Sequence, residues 1–212
     1  TQVFSGNNAY TGTTQITAGI LAINGDQSTA TGDTLVNATA TLAATGTLGG
    51  NTVIQSGGTL TPGDVTSHVG ILSMAQNLTL ASGASQNFYL GQTNVAGGAY
   101  NSLVAVQGDI TLGGTLSITP NTAGPNVNNN SLDPGLYRLY TYGGTLSGAA
   151  DQTLAPTSVA PGATASLQTS IDHQVNLVIN YGNLTFWDGG STTNRSNNTV
   201  DGGSGTWDAQ TG

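Results

Sequence analysis

The 212-residue chain contains no cysteine, no lysine and no glutamate. Without cysteine there are no disulfides, no thiolate nucleophile and no Cys-type zinc site, so stability must come from packing and backbone pairing. The only strongly basic side chains are Arg138 and Arg195, far apart in sequence. Neutralising phosphates takes clustered Lys and Arg, which excludes nucleic acid as a partner and equally a basic patch laid on a membrane surface. Ten aspartates bring the net charge to −8 although only 6% of residues are charged. No run approaches the roughly 18 apolar residues of a membrane span, and Thr1–Gly6 lacks the basic start and apolar stretch of a secretory signal. An export signal or anchor is therefore expected outside these residues.

What the chain has instead is glycine, 32 residues of 212, with Thr, Asn and Ser filling the polar positions. The best polar helix formers are missing and no amphipathic segment of helical length stands out, so strands and turns are expected. Short β-branched runs such as Thr13–Ile16, Thr52–Ile54 and Thr115–Ile118 are bounded by Gly, Asn or Asp.

These runs recur. An aliphatic residue is followed five or six positions later by a second one, giving Ile16/Leu21, Val36/Leu42, Ile54/Leu60, Met74/Leu80 and Val106/Leu112. The first members lie 20, 18, 20 and 32 residues apart, the last interval holding an extra strand-like run, Gln86–Leu90. A single coil of about 20 residues cannot bury its apolar side chains, whereas stacked coils pair every strand above and below. About ten coils spaced by about 4.8 Å predict a rod on the order of 50 Å long. Ile16, Val36, Ile54 and Met74 are expected to line up inside, with Gly and Asn at the corners. A β-sandwich is the alternative, but it has no reason to repeat the paired spacing.

Three stretches depart from the period. Pro120–Ser131 reads as a polar loop projecting from the rod and a candidate contact site. Pro134–Tyr142 reads as a long, partly aromatic strand, with Tyr140 and Tyr142 on one face and Tyr137 on the other. Asp188–Asn198 is nearly all polar and is expected to be weakly ordered.

Asn8–Leu21 resembles the strand repeat of the passenger domains of type V secreted autotransporters. Gly57–Gly63 is similar to the coil that follows that repeat, Leu103–Leu116 to its later rungs, and Pro134–Tyr137 with Gly143–Gly148 to the stretch closing such a block. The resemblance implies an all-β, right-handed parallel β-helix, exported by a Gram-negative bacterium and displayed at the outer-membrane surface or released. It also implies an internal piece of a longer passenger, with the membrane reached only through a barrel domain outside these residues. Residues 1–182 are read as the β-helical passenger segment. Residues 183–212 are read as the start of a further block or a capping segment, because Trp187–Gly190 and Gly202–Asp208 resemble the opening of a block. The absence of cysteine is compatible with a chain threaded unfolded through a pore.

The candidates for chemistry are few. Asp26, Asp33, Asp64, Asp109, Asp188 and Asp201 sit beside Gly and Asp133 precedes Pro134-Gly135, which are turn contexts rather than a glycosidase carboxylate pair. His68 and His173 are the only general-base candidates, and Asp172 is badly placed to orient its neighbour His173 on a strand. No Gly-x-Ser-x-Gly elbow occurs. Gly202–Asp208 has its Asp misplaced for a calcium nonapeptide, and no cofactor or metal is expected. Trp187 and Trp207 are 20 residues apart, which would stack them on adjacent rungs as a sugar platform or as an end cover.

The chain is thus expected to be a non-enzymatic adhesin segment whose partner is a protein or glycan of a host or neighbouring-cell surface, or a second copy. Its speculative binding residues are Asn126, Asn128, Asn129, Asn130, Trp187 and Trp207. The alternatives are a structural spacer or self-assembling filament subunit, and last a hydrolase passenger.

Overall fold

A computed structural model describes residues 1–148, 153–154 and 158–181, among which there is no helix. After β1 (Gln2–Phe4) the chain winds in three-sided coils. The first is β2 (Thr14–Ile16), β3 (Gly19–Ile23) and β4 (Asp26–Gln27), and the second is β5 (Thr34–Val36), β6 (Ala40–Ala44) and β7 (Thr47–Leu48). The third is β8 (Thr52–Ile54), β9 (Thr59–Pro62) and β10 (Gly70–Met74), and the fourth is β11 (Leu78–Leu80), β12 (Ser85–Leu90) and β13 (Ser102–Val106). The fifth runs through β14 (Ile110–Thr111) and β15 (Thr115–Pro120), then a small hairpin of β16 (Val127–Asn128) and β17 (Ser131–Leu132), and closes with β18 (Gly135–Tyr142). β19 (Leu146–Ser147) and β20 (Thr153–Leu154) start a sixth turn, and β21 (Ala163–Gln168) and β22 (Gln174–Tyr181) follow.

Each side of the coil stacks on the same side of the next. Face one is β2-β5-β8-β11-β14-β19, face two is β1-β3-β6-β9-β12-β15-β20, and face three is β4-β7-β10-β13-β18. All these pairings are parallel, which makes the molecule a parallel β-helix. Alternation along each strand sends one set of side chains inward, and in-register stacking turns that set into columns. Leu21, Leu42 and Leu60 form one column on face two, continued by Gln86 and Leu116. Gln86 is fully buried: its amide donates to the Gly113 carbonyl (2.7 Å) and its carbonyl accepts from the Tyr140 hydroxyl (2.6 Å).

Met74 does not join the file of Ile16, Val36 and Ile54, whose fourth member is Leu80. It stands on face three between Leu48 and Val106. Ile16/Leu21 spans the corner from face one to face two, whereas Met74/Leu80 spans the corner from face three to face one. Both corners are short, so the two spacings look alike in sequence. Nor is Gln86–Leu90 an extra strand, since it belongs to β12, a regular member of face two. The described residues make five full coils rather than ten, because the coil lengthens. Stacked partners lie 18 residues apart between the second and third coils and 36 apart between the fifth and sixth. At about 4.8 Å per rung the stack is roughly 25–30 Å long.

From the second coil on, the corner from face three to face one keeps a length of three residues, and it carries a polar ladder that Asp33, at the end of the longer first corner, begins. Asn51 donates its backbone and side-chain amides to Asp33 Oδ1 (3.2 and 3.1 Å), and Asn77 does the same to Asn51 Oδ1 (3.4 and 3.1 Å). The Asp109 amide donates to Asn77 Oδ1 (2.7 Å), and Thr145 donates from backbone and hydroxyl to Asp109 Oδ1 (2.7 and 2.9 Å). The Thr145 amide and hydroxyl hold the Asp109 carboxyl below its usual value of 3.8. A depressed folded pKa means that this contribution is present above the unfolded value and is lost as pH falls through the folded one. The Asp109 carboxyl carbon, followed by NMR, should therefore titrate below 3.8 in the folded chain. A midpoint at or above 3.8 would show that the Thr145 bonds do not persist in solution.

The strand read from Pro134–Tyr142 is β18, but its aromatics are not divided between two faces. A bulge between Arg138 and Tyr140 shifts the register, so Tyr137 and Tyr140 are both fully buried, and Tyr142 is nearly so. β22 and then β21 extend face three antiparallel from β18, an addition the period did not announce. The expected weakly ordered segment 188–198 and the second unit, 183–212, lie outside the described residues.

Candidate functional site

Most of the growth of the coil is taken up at one corner, where face two passes to face three, and the rest by the lengthening face-three strands. In the first two coils that corner is Asn24-Gly25 and Thr45-Gly46. In the next three it becomes residues 63–69, 91–101 and 121–134, stacked one above another. Together they form a ledge on an otherwise smooth rod.

The ledge is held by buried side chains and by backbone bonds between its loops, with the β16–β17 hairpin its one described strand pair. Asn101, with no exposed surface, uses its whole amide: Oδ1 accepts from the Gly91 and Gln92 amides (2.9 and 3.0 Å), and Nδ2 donates to the Gln92 and Val95 carbonyls (2.8 Å each). Ser102, also buried and the first residue of β13, donates its hydroxyl to the His68 carbonyl (2.8 Å) and accepts from the Tyr89 amide (3.0 Å), tying the first loop to the two strands that flank the second. The second loop is tied to the third where the Asn126 amide donates to the Gly91 carbonyl (2.9 Å) and Asn121 Nδ2 donates to the Tyr100 carbonyl (3.2 Å). Gly124 lies so close to the Gly91 backbone that a side chain there would collide with it.

The sequence-predicted residues fall into three groups. Asn126 is spent on structure, its Oδ1 accepting from the Thr93 amide (3.0 Å) and hydroxyl (3.2 Å). Asn128 is exposed and donates Nδ2 to both Asp133 carboxylate oxygens (2.8 Å each). Asn129 and Asn130 form the tip of the β16–β17 hairpin, exposed, with φ of 50° and 60°, the left-handed pair a tight hairpin requires. The segment is therefore a built hairpin and not an irregular loop. Trp187 and Trp207 lie outside the described residues.

The histidines are not assembled for acid–base chemistry. His68 stacks on Tyr89 with ring centroids 4.5 Å apart and an interplanar angle of 21°. His173 turns Nδ1 to the Tyr142 carbonyl at 2.9 Å. Neither ring hydrogen-bonds a carboxylate or a serine hydroxyl among the described residues. Asp26 and Asp64 do what their turn contexts predicted. Asp26 Oδ1 accepts from the Ser28 amide (2.9 Å), and Asp64 Oδ1 accepts from the Thr66 and Ser67 amides (2.8 and 3.2 Å), which hold both carboxyls below their ordinary value. Asp33 and Asp109 instead belong to the cross-coil ladder.

Sequence reasoning missed Asn101, Ser102 and the stacking of the three loops. The signal was the lengthening interval between repeats, once the extra residues are assigned to one corner.

A family model described as Passenger-associated-transport-repeat matches residues 1–23, which end with β3 and so cover β1 and the first two sides of the first coil. The chain is 44% identical over 208 residues, 98% of its length, to a protein of Brucella suis biovar 1 (strain 1330) named Adhesin BmaC autotransporter. It spans 6% of that relative's length. The repeat match, the parallel coil built on it and this likeness agree: over nearly its whole length the chain is similar to a segment of an autotransporter, as the sequence resemblance implied.

Proposed function

We propose that this chain is a non-catalytic adhesin module that presents the loop ledge to a protein or glycan on a host or neighbouring-cell surface. The observation that carries the reading is the stacking of residues 63–69, 91–101 and 121–134 on one corner while the other corners stay short. Contact residues are commonly placed on loops fixed by a rigid scaffold, and this scaffold spends a buried Asn and a buried Ser on fixing them. The name of the Brucella relative points the same way. The contact itself would be made by the exposed hairpin tip, Asn128–Asn130, and by the half-buried His68–Tyr89 stack.

Asn129 and Asn130 permit a clean test, because glycine accepts their positive φ and removes only the amides. On cells displaying the passenger, Asn129→Gly with Asn130→Gly should weaken attachment several-fold. Shortening residues 91–101 and 121–134 to two-residue corners should remove most of the rest. Full attachment by the shortened rod would dismiss the ledge as the contact surface.

Self-association is the second reading, and one strand favours it. β21 pairs on one side only among the described residues, and Ala163–Gln168 carries neither charge nor proline to blunt that edge. Sedimentation as a monomer at high concentration would remove this alternative.

A further inference from the structure

We propose that face three carries a second binding site, a shallow groove beside Arg138 that takes a carboxylate-bearing sugar. Arg138 is the only arginine among the described residues, in a chain with ten aspartates, yet it has no carboxylate partner among the described residues. Its Nε donates to Asn176 Oδ1 at 2.6 Å. Asn176 has no exposed surface and donates Nδ2 to Gln168 Oε1 (3.2 Å) and Gln174 Oε1 (3.4 Å). The terminal guanidinium nitrogens make no hydrogen bond or ion pair to any described residue. A fixed, half-buried guanidinium with its terminal donors unspent is a ready receptor for a planar anion, and it stays charged at any physiological pH.

The neighbouring row of the same face supplies the rest. Arg138, Asn176 and Gln168 are register partners, and two residues along the strands Leu136, Val178 and Ser166 are register partners on the same side. A groove of about 510 Å³, in the row next to Arg138 and without Arg138 in its wall, is lined by Leu136, Val178 and Leu167 and by Ser166, Gln168, Thr169 and Ser170. Leu136 and Val178 give a half-buried apolar surface suited to the C–H face of a sugar ring, and the four polar residues offer hydroxyls and an amide to its hydroxyl groups. A single cation in a −8 chain does not suit an acidic peptide, which would need several. The polar rim instead matches a ligand with one carboxylate and many hydroxyls.

The proposal rests on the reading of the chain as a surface-contact module, but it is tested with soluble sugars, so it can fail while attachment through the ledge stands. The isotope-labelled chain would be titrated with 3′-sialyllactose, a glucuronate-terminated disaccharide, lactose and an N-acetylated Glu-Glu dipeptide. At least one acidic sugar should shift the Arg138 Nε–H and the amides of Ser166–Ser170 saturably, with a Kd of about 0.1–3 mM. Which of the two does so distinguishes sialate from uronate. Arg138→Gln should weaken binding at least about tenfold and Arg138→Lys less, since the ammonium cannot make the paired contact. Ser166→Tyr fills the groove without touching Arg138, so it carries the test should the Arg138 variants fail to fold, and it should abolish binding. No saturable shift from either acidic sugar, equal binding of lactose or the dipeptide, or indifference to Ser166→Tyr would overturn the proposal.

Discussion

Replacing Phe88 by alanine is expected to cost about 3–5 kcal/mol in chemical denaturation, the largest effect of any single core substitution in the fourth coil. Phe88 has no exposed surface, stacks in register on Ile118, and meets the Tyr140 ring edge-on at 5.2 Å and 65°. The deletion loses the transfer free energy of the ring and the edge-to-face contact, and leaves a void that flanking coils cannot close because their strands are hydrogen-bonded on both sides. In a solenoid each coil is stabilised through its neighbours, so a defect in the fourth also weakens the third and fifth. A loss below about 1 kcal/mol would mean that the lumen is not closely packed there.

The second large effect is expected from Asn101→Ala, and it should be local. Two backbone amides and two backbone carbonyls lose their partner at once. Each unsatisfied buried group costs about 1–3 kcal/mol, and with water reaching some of them the sum comes to about 3–5 kcal/mol. Hydrogen exchange at Gly91–Asn101 should accelerate strongly while the amides of β6 and β9 stay protected, and attachment should fall with the ledge. Asn101→Asp keeps the acceptor side and should be milder on the Gly91 and Gln92 amides. Uniform loss of protection along the rod would place Asn101 in the core's cooperative unit instead of the ledge.

Much of the coil was legible because its cause is local. The stacking of Ile16 on Val36 and Ile54 is written in an 18- to 20-residue spacing that only register-matched strands would keep. The trouble began where the period stretched. A coil that inserts residues at one corner keeps its strands in register, so length ceases to report position, and Met74 falls on face three although its spacing matches the face-one file. The antiparallel addition of β22 to β18 was hidden because pairing direction leaves no trace in alternation. At the candidate site, the Asn-rich tip was visible as composition. That Asn126 is consumed by Thr93, and that Asn101 holds the loop below it, depends on contacts between residues brought together only by the winding.

The lengthening of the coils also has a mechanical outcome. The strands lie across the long axis, so a pull along that axis loads the ladder bonds as a zipper, one row after another, rather than all at once. Peeling a turn of 18 residues pays out about 60 Å of slack and one of 36 residues about 120 Å. A rod that is stiff at rest would thus yield in steps under load, each longer than the last where the turns are longer, and spread a sudden pull over time.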